Sequence, residues 1–230
     1  MAGAERGRAA GGAGTDAAAL RREIVATALE MNALGINRGK SGNVSARVAG
    51  GFLITPSALP YDQTQPEDIV MVREDGSATG RHLPSSEWRF HRAIYAARPE
   101  VRAIVHAHSP FATTLACLDR GMPAFHYMVA VAGGADIRCA SYATFGTQAL
   151  ADEVSRALDG RKACLLSHHG MIAAGASLKA ALALAVEVET LAEMYWRALQ
   201  IGEPTLLSDG EMKGVLARFA DYDAGRAPAS

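Results

Sequence analysis

Two short segments of the chain carry closely spaced histidines, whose imidazoles can bind a metal ion. His106 and His108 follow the apolar run Val101–Val105. Because alternate residues of a strand project from the same face, a strand here points both imidazoles the same way. The second segment, SHHG at positions 167–170, follows another apolar run, Ala163–Leu166. Four of the seven histidines in the chain therefore lie at the ends of two predicted strands.

A carboxylate, Glu87, lies at the predicted start of a helix, in the segment PSSE. Two histidines from one strand, one from another and a carboxylate make a tetrahedral ligand set for Zn²⁺, and a displaceable fourth ligand is typical of a catalytic site. The alternative is that each histidine is separately hydrogen-bonded in the interior, which is the commoner role of a single buried histidine. The paired spacing at two strand ends favours the metal site.

A glycine- and serine-rich turn predicts an anion site. In this turn, GKSGN at positions 39–43, glycines let the backbone approach a ligand and Lys40 adds a positive charge. Ser57 follows it, and Ser85 and Ser86 lie at a predicted helix N-terminus, where the helix dipole favours an anion. The spacing is not that of a P-loop. An ordinary turn and a helix cap explain the same residues equally well, so the spacing leaves both interpretations open.

Alternating helices and strands must position these groups. Apolar spacing predicts a first helix that begins at Thr15 or Asp16. The further predicted strands are Gly51–Thr55, Ile69–Val72, Val101–His108 and two within Lys162–Gly175, and the further helices are Ser86–Ala97, Pro110–Leu118, Thr147–Leu158 and one from Ser177 to about Gln200. This pattern predicts an α/β fold, one domain with helices beside a central sheet.

The predicted domain covers residues 16–222. The first fifteen residues are rich in alanine and glycine and lack the apolar segment of a signal peptide, so residues 1–15 are predicted to be a disordered tail. Residues 223–230 are predicted to be a frayed C-terminal tail.

Composition narrows the function classes. The chain has 230 residues, and its 23 Lys and Arg against 24 Asp and Glu give a net charge of −1, which argues against a polybasic nucleic-acid binder. The richest apolar run, Ala180–Val186, is closely flanked by Lys179 and Glu187 and is too short to span a bilayer. Three widely separated cysteines, none in a CxxC pair, favour a reducing, cytoplasmic location. We therefore expect neither a nucleic-acid nor a membrane partner.

Seven segments of the chain together resemble the class II aldolase/adducin family. In chain order they are GNVSAR, LITPSALPYD, LPSSEWRFH, AIVHAHSPFAT, PAFHYMVAVAGG, YATFGT and LLSHHGMIA. They extend from about Glu23 to Gly175, with weaker similarity toward the C-terminus. Chance similarity does not explain so many separate motifs in the correct order.

The resemblance implies a single-domain class II aldolase-like fold with a central, mostly antiparallel sheet, and a homotetramer with active sites at subunit interfaces. It also implies one Zn²⁺ per subunit, a catalytic base at Glu87 once substrate displaces it from the metal, and protonation of the developing alkoxide by Tyr127 in a neighbouring subunit's site. The implied metal ligands are Glu87, His106, His108 and His169. The implied phosphate-binding residues are Gly42, Asn43, Ser57, Ser85 and Ser86, and the resemblance suggests Phe145 and Tyr222 for an aldehyde pocket.

The implied reaction is reversible cleavage of a ketose 1-phosphate of the L-fuculose 1-phosphate type to dihydroxyacetone phosphate and an aldehyde such as lactaldehyde. An aldolase for 5-deoxyribulose 1-phosphate or 5-methylthioribulose 1-phosphate would share every motif and is the main alternative. A ribulose-5-phosphate 4-epimerase, a methylthioribulose-1-phosphate dehydratase and a non-catalytic adducin-like scaffold are further alternatives. Glu87 favours an aldolase over the epimerases, whose comparable residue is an aspartate.

Two departures from the family pattern bear on the substrate. Lys40 and Ser41 stand where small residues such as Thr-Ala are expected, and Ala58 replaces a glycine. The metal and base positions are intact, so these changes affect the identity of the substrate and not the class of reaction.

Overall fold

The structure, a computed structural model, describes the backbone of residues 10–223 and the side chains of residues 17–221. The strands are β1 (Asn43–Val48), β2 (Gly51–Ile54), β3 (Val70–Arg73), β4 (Ala78–Thr79), β5 (Ala103–Ala107), β6 (Cys139–Ala140), β7 (Ala163–Leu166) and β8 (Gly170–Gly175). The helices are α1 (Ala10–Ala33), α2 (Trp88–Ala97), α3 (Pro110–Ala116), α4 (Gln148–Ala157), α5 (Leu178–Ile201) and α6 (Asp209–Asp223). Short 3-10 helices cover Tyr61–Gln63, Pro66–Asp68 and Tyr127–Ala132.

The strands form one sheet in the order β4-β3-β2-β1-β5-β8-β7-β6. Every neighbouring pair is antiparallel except β6 and β7, which are parallel. The predicted α/β architecture with a central, mostly antiparallel sheet is therefore confirmed. Strand β5 lies inside this sheet, between β1 and β8, and is buried along its whole length.

Helices cover both faces of the sheet and divide the core in two. Alternate residues of β5 face opposite sides: Ala103 and Val105 belong to a cluster with α1, α3 and α5, whereas Ile104 belongs to a cluster with α2 and α4. His106 follows the same alternation, and its ring packs edge-on against Phe90 of α2, with the ring centroids 5.4 Å apart. The sheet therefore presents His106 toward the α2 side.

Four elements differ from the sequence-based expectation. Helix α1 begins at Ala10, upstream of Thr15 and Asp16; it includes Gly11, Gly12 and Gly14, which favour a helix poorly, but the stretch contains no proline that would stop the helix. Residues 1–9 of the predicted tail and residues 224–230 lie outside the described residues. Helix α6 was not predicted; two glycines weaken its pattern, but Met212 is buried in the core. The two-residue strands β4 and β6 are too short to leave a periodic signal.

Across residues 10–223, no helix is both long enough and apolar enough to cross a membrane.

Candidate active site

Four side chains from three parts of the chain converge at one end of β5. His106 lies on β5, and His108 comes just after it. His169 lies in the turn between β7 and β8. Because β8 pairs with β5, this turn lies beside the end of β5 that carries His106. Glu87 is the residue immediately before α2. The sheet order brings together the histidines that the sequence separates by about sixty residues.

The ligand-type atoms of these four side chains all lie within 4.8 Å of one another. His106 Nε2 is 3.1 Å from Glu87 Oε2, and His169 Nε2 is 3.0 Å from Glu87 Oε1. His106 Nε2 and His108 Nε2 are 3.0 Å apart. The three imidazole rings lie with centroids 4.9 Å apart in each pair and nearly perpendicular planes. The nitrogens thus point inward to a common centre, which is the arrangement that the metal interpretation requires.

The hydrogen bonding around the cluster fits a metal ion. His106 Nδ1 donates to the carbonyl oxygen of Met171 over 2.8 Å, which leaves a lone pair on Nε2 toward the centre in the neutral ring. Glu87 Oε1 is buried and has no hydrogen-bond partner of acceptable geometry within the described part of the chain, although His169 Nε2 lies close to it. A divalent cation would satisfy this oxygen and the inward-facing nitrogens together. The site can therefore hold a metal ion.

The surroundings of the cluster lower the pKa values of both Glu87 and His108. Burial would raise the pKa of the Glu87 carboxyl, but the nearby imidazoles of His106 and His169 outweigh it and hold that pKa well below its usual range. Burial, aided by His106 and His169, lowers the pKa of His108 to about 3. At neutral pH the centre therefore offers an ionised carboxylate and a neutral His108, which are the forms that bind metal.

Asn43 contacts Glu87 directly. Its Nδ2 donates to Glu87 Oε2 over 2.9 Å, and Asn43 pairs with His106 across β1 and β5. Its Oδ1 lies 2.5 Å from Nε2 of the fully buried His91. Sequence reasoning placed Asn43 at a phosphate and missed His91. The spacing could have indicated His91: it follows Glu87 by four residues, and residues four apart share one face of a helix.

The segments carrying the predicted phosphate-binding residues are bonded to one another. Ser57 N donates to Leu83 O over 2.9 Å, and Ser85 N donates to Thr55 O over 3.1 Å. The segment that carries Ser57 therefore runs beside the segment that carries Ser85. Lys40 Nζ donates to Ala58 O over 2.7 Å and ties the glycine turn to the same loop. Ala58 has φ +62°, the left-handed conformation that a glycine adopts without strain.

Three further residues of this region were predicted to bind phosphate: Ser85, Ser86 and Gly42. The Ser85 hydroxyl accepts from the Glu87 backbone N–H over 3.4 Å, and Glu87, the N-cap residue of α2, makes no cap hydrogen bond with its own side chain. Ser86 is exposed beside it. Gly42 lies under β5: a Cβ there would come within 2.4 Å of the His106 carbonyl oxygen. Because glycine has no Cβ, the turn can approach the backbone of β5 at His106.

The turn that carries His169 is held from α3. His168 has φ +54°, and its backbone N–H donates to Ala116 O over 3.1 Å. The Ser167 hydroxyl donates to Asp119 Oδ1. These bonds hold the chain in an unfavourable backbone conformation at the residue before a proposed ligand. Ser167 belongs to the SHHG segment noted in the sequence but was assigned no role there, and Asp119 was not singled out.

Helix α3 is itself fixed from α5, directly after His108. The two carboxylate oxygens of Glu189 accept from the backbone N–H groups of Phe111 and Ala112, over 2.8 and 2.9 Å. A carboxylate at a helix N-terminus satisfies unpaired donors and opposes the helix dipole. Glu189 therefore anchors the segment that follows His108.

The structure does not bring every predicted residue to the cluster. Tyr127 begins a 3-10 helix and is 51% exposed, and its ring contacts His126. Phe145 is 64% exposed. The side chain of Tyr222 lies outside the described residues. Within one chain, neither Tyr127 nor Phe145 makes a hydrogen bond or ring contact with Glu87 or the three histidines over residues 17–221.

Comparison with known proteins agrees with this geometry. The family model described as Class II Aldolase and Adducin N-terminal domain matches residues 22–196. A 5-methylthioribulose-1-phosphate/5-deoxyribulose-1-phosphate aldolase of Rhodospirillum rubrum is 56% identical over 204 residues, covering 89% of this chain and 92% of that protein. An L-fuculose phosphate aldolase of Escherichia coli is 49% identical, covering 88% and 95%.

A solved structure supports the same assignment. An L-fuculose 1-phosphate aldolase superposes with a TM-score of 0.85 at 38% identity, covering 88% of this chain and 96% of that one. The resemblance seen in the motifs is thereby confirmed. The chain belongs to the class II aldolase and adducin family, and within it to the aldolases, which are lyases.

Proposed function

We propose that this chain is a zinc-dependent aldolase that reversibly cleaves a ketose 1-phosphate into dihydroxyacetone phosphate and a short aldehyde. The observation that carries the proposal is the Glu87 carboxylate within a group of three inward-facing imidazoles, all of whose ligand-type atoms lie within 4.8 Å. Three nitrogen ligands with a carboxylate that substrate can displace suit zinc and leave a coordination position for chemistry.

In this proposal the metal ligands are Glu87, His106, His108 and His169. When bound, zinc supplies Lewis-acid stabilisation of the negative charge that develops when a carbon–carbon bond beside a ketone breaks. Glu87, once displaced, moves the proton at the adjacent hydroxyl-bearing carbon. Its low pKa keeps it ionised, and its Oε1 has no good hydrogen bond to lose. No lysine takes part covalently.

The phosphate of the substrate is assigned to the neighbouring loops at Gly42, Asn43, Ser57, Ser85 and Ser86. The start of α2 favours an anion there through its dipole. One Asn43 N–H is already committed to Glu87, so this residue would link the phosphate to the base.

We also propose that four copies of the chain assemble. Tyr127 of one copy would reach the site of another and protonate the developing alkoxide there. The 51% exposure of Tyr127, away from its own chain's cluster, supports an intermolecular role. Phe145, 64% exposed, and Tyr222 are assigned to the aldehyde pocket.

The proposed catalytic domain is residues 16–222, and the proposed location is the cytoplasm, supported by three free cysteines.

The candidate substrates differ in the aldehyde that they would release, and the relatives point to two types of substrate. The 56% identity to the Rhodospirillum rubrum enzyme favours 5-methylthioribulose or 5-deoxyribulose 1-phosphate. The 49% identity to the Escherichia coli enzyme keeps L-fuculose 1-phosphate as the second candidate. Both share the dihydroxyacetone phosphate half that the metal site addresses.

A panel of these three ketose 1-phosphates, offered to the zinc-loaded protein, tests the proposal through release of dihydroxyacetone phosphate. We expect release from at least one, with the highest kcat/KM identifying the aldehyde. Ribulose 5-phosphate serves as a control for epimerisation, and water loss from methylthioribulose 1-phosphate for dehydration. Epimerisation or dehydration without cleavage, or no reaction by the folded, zinc-loaded protein, would overturn the aldolase proposal.

A further inference from the structure

A row of buried polar side chains extends from Glu87 through Asn43 to His91, Ser45 and Tyr95. Asn43 joins Glu87 to His91, as described above. His91 Nδ1 is 2.7 Å from Ser45 Oγ, and Ser45 Oγ is 2.8 Å from the hydroxyl of Tyr95. Each of these residues is at most 5% exposed. The row thus runs from the α2–sheet interface directly to the proposed base.

The hydrogen bonds of this row have one consistent direction. A carboxylate can only accept, so Asn43 must turn its Nδ2 toward Glu87 and its Oδ1 toward His91. His91 must therefore carry its proton on Nε2. Because burial lowers the pKa of His91 to about 3, the ring is neutral and Nδ1 accepts from Ser45, which in turn accepts from Tyr95. Every donor in the row points toward Glu87.

Packing alone does not require a histidine here. The His91 ring lies between the aromatic rings of Phe90 and Phe52, with centroids 4.6 and 6.3 Å away. An apolar ring would fill this space without the cost of burying two polar nitrogens, which is repaid only when both are hydrogen-bonded. The function of the nitrogens must therefore be sought in what they contact.

We propose that His91 is a positioning residue that sets the orientation of the Asn43 amide and, through it, of the Glu87 carboxylate. With Oε2 held by Asn43, Oε1 is the oxygen left for the metal and for proton transfer. An inverted Asn43 amide would place Oδ1 against the carboxylate and turn Glu87 away. This inference rests on the proposed role of Glu87 as metal ligand and base.

Two substitutions of His91 separate positioning from packing. In His91→Gln the terminal amide nitrogen reaches the place of Nε2 and still donates to Asn43, whereas in His91→Asn the shorter amide reaches only the place of Nδ1, beside Ser45. We expect His91→Gln to keep kcat within about threefold of the parent, and His91→Asn to lower kcat about 10–100-fold with KM changed less than about twofold. Ile94→Val, also buried on α2 but apolar, is the control for packing loss and should leave kcat unchanged.

Two measurements guard against a general loss of structure. In an Asn43→Ala background, His91→Asn should lower kcat no further, because the residue through which it acts is gone. In the Co²⁺-substituted proteins, His91→Asn should change the visible absorption bands through altered Glu87 coordination, and His91→Gln should not.

The outcomes separate the two proposals. A parent enzyme that cleaves none of the ketose 1-phosphates overturns the proposed function, and the cobalt spectra then decide the positioning role by themselves. An active parent with His91→Gln and His91→Asn alike in kcat and in cobalt spectrum, or with additive effects of Asn43→Ala and His91→Asn, overturns the positioning role alone.

Discussion

Asn43 and His106 lie directly opposite each other where β1 pairs with β5, so a proposed metal ligand and the amide that holds the proposed base share one register position. A one-residue shift of a strand moves each side chain to the other face of the sheet. Such a shift would separate Asn43 from Glu87 while leaving His106 in place. The pairing of β1 with β5 therefore determines the geometry of the base as well as the fold.

Glu87→Gln tests the role of the carboxylate. The change preserves size and leaves three histidine ligands, so we expect bound zinc to be retained while kcat falls about 10²–10⁴-fold, the contribution of a general base. Zinc content and steady-state kinetics on the same samples measure both. Glu193→Gln, on the exposed side of α5, is the control. A Glu87→Gln enzyme with parental kcat would remove Glu87 from the base role.

Gly42→Ala tests the close approach of the glycine turn to β5. The added Cβ would lie 2.4 Å from His106 O and 2.9 Å from Asn37 Oδ1, so strand or turn must move. We expect a loss of about 1–3 kcal/mol in the free energy of unfolding, measured in urea. Gly202→Ala, where a Cβ meets nothing within 4 Å, should change stability much less. Equal effects at the two positions would contradict the packing described.

Ser167→Ala tests the support of the His169 turn. Removing the hydroxyl that donates to the exposed Asp119 carboxylate costs about 0.5–1.5 kcal/mol, because water can replace the lost partner, and we expect zinc affinity to fall about tenfold because His169 is held less firmly. Competition with a metal indicator measures the affinity. Ser155→Ala, whose hydroxyl bonds to the backbone of α4, is the matched control. Unchanged zinc affinity in Ser167→Ala would show that the turn does not depend on this bond.

The low pKa of His91 predicts a loss of stability in acid. The folded-state pKa, about 3, lies below the unfolded value near 6.5, so the unfolded chain takes up a proton first as pH falls. The stabilisation is complete above pH 6.5 and declines toward pH 3, with a loss of about 2 kcal/mol by pH 5. Urea unfolding of the metal-free parent and of His91→Gln at several pH values isolates this contribution. Parallel pH profiles for the two proteins would contradict it.

The histidine cluster and the main strands were predictable because each has a strong local signal. The alternation of His106 and His108 along a strand, and the apolar runs before both histidine segments, require no knowledge of the sheet order. The mostly antiparallel sheet came from the family resemblance, and the structure bears it out.

The supporting interactions were not predictable in the same way because they depend on pairings between distant elements. Asn43 contacts Glu87 only because β1 pairs with β5, and Glu189 reaches α3 only because α5 packs beside it. Asp119 adopts φ +52° in a turn that no glycine marks. Helix α6 has glycines at 210 and 214 that obscure its pattern, and contacts with the core hold it in place.

Zinc titration of the metal-free protein tests whether cleavage depends on a metal held by the histidine cluster. The protein is stripped with a chelator, zinc is added back in steps, and dihydroxyacetone phosphate release is measured at each step with the best ketose 1-phosphate. We predict no cleavage by the stripped protein, a rise that ends at about one zinc per chain, and no recovery in His106→Ala at the same zinc concentrations. Full cleavage by the stripped, folded protein, or by His106→Ala without bound zinc, would contradict this prediction.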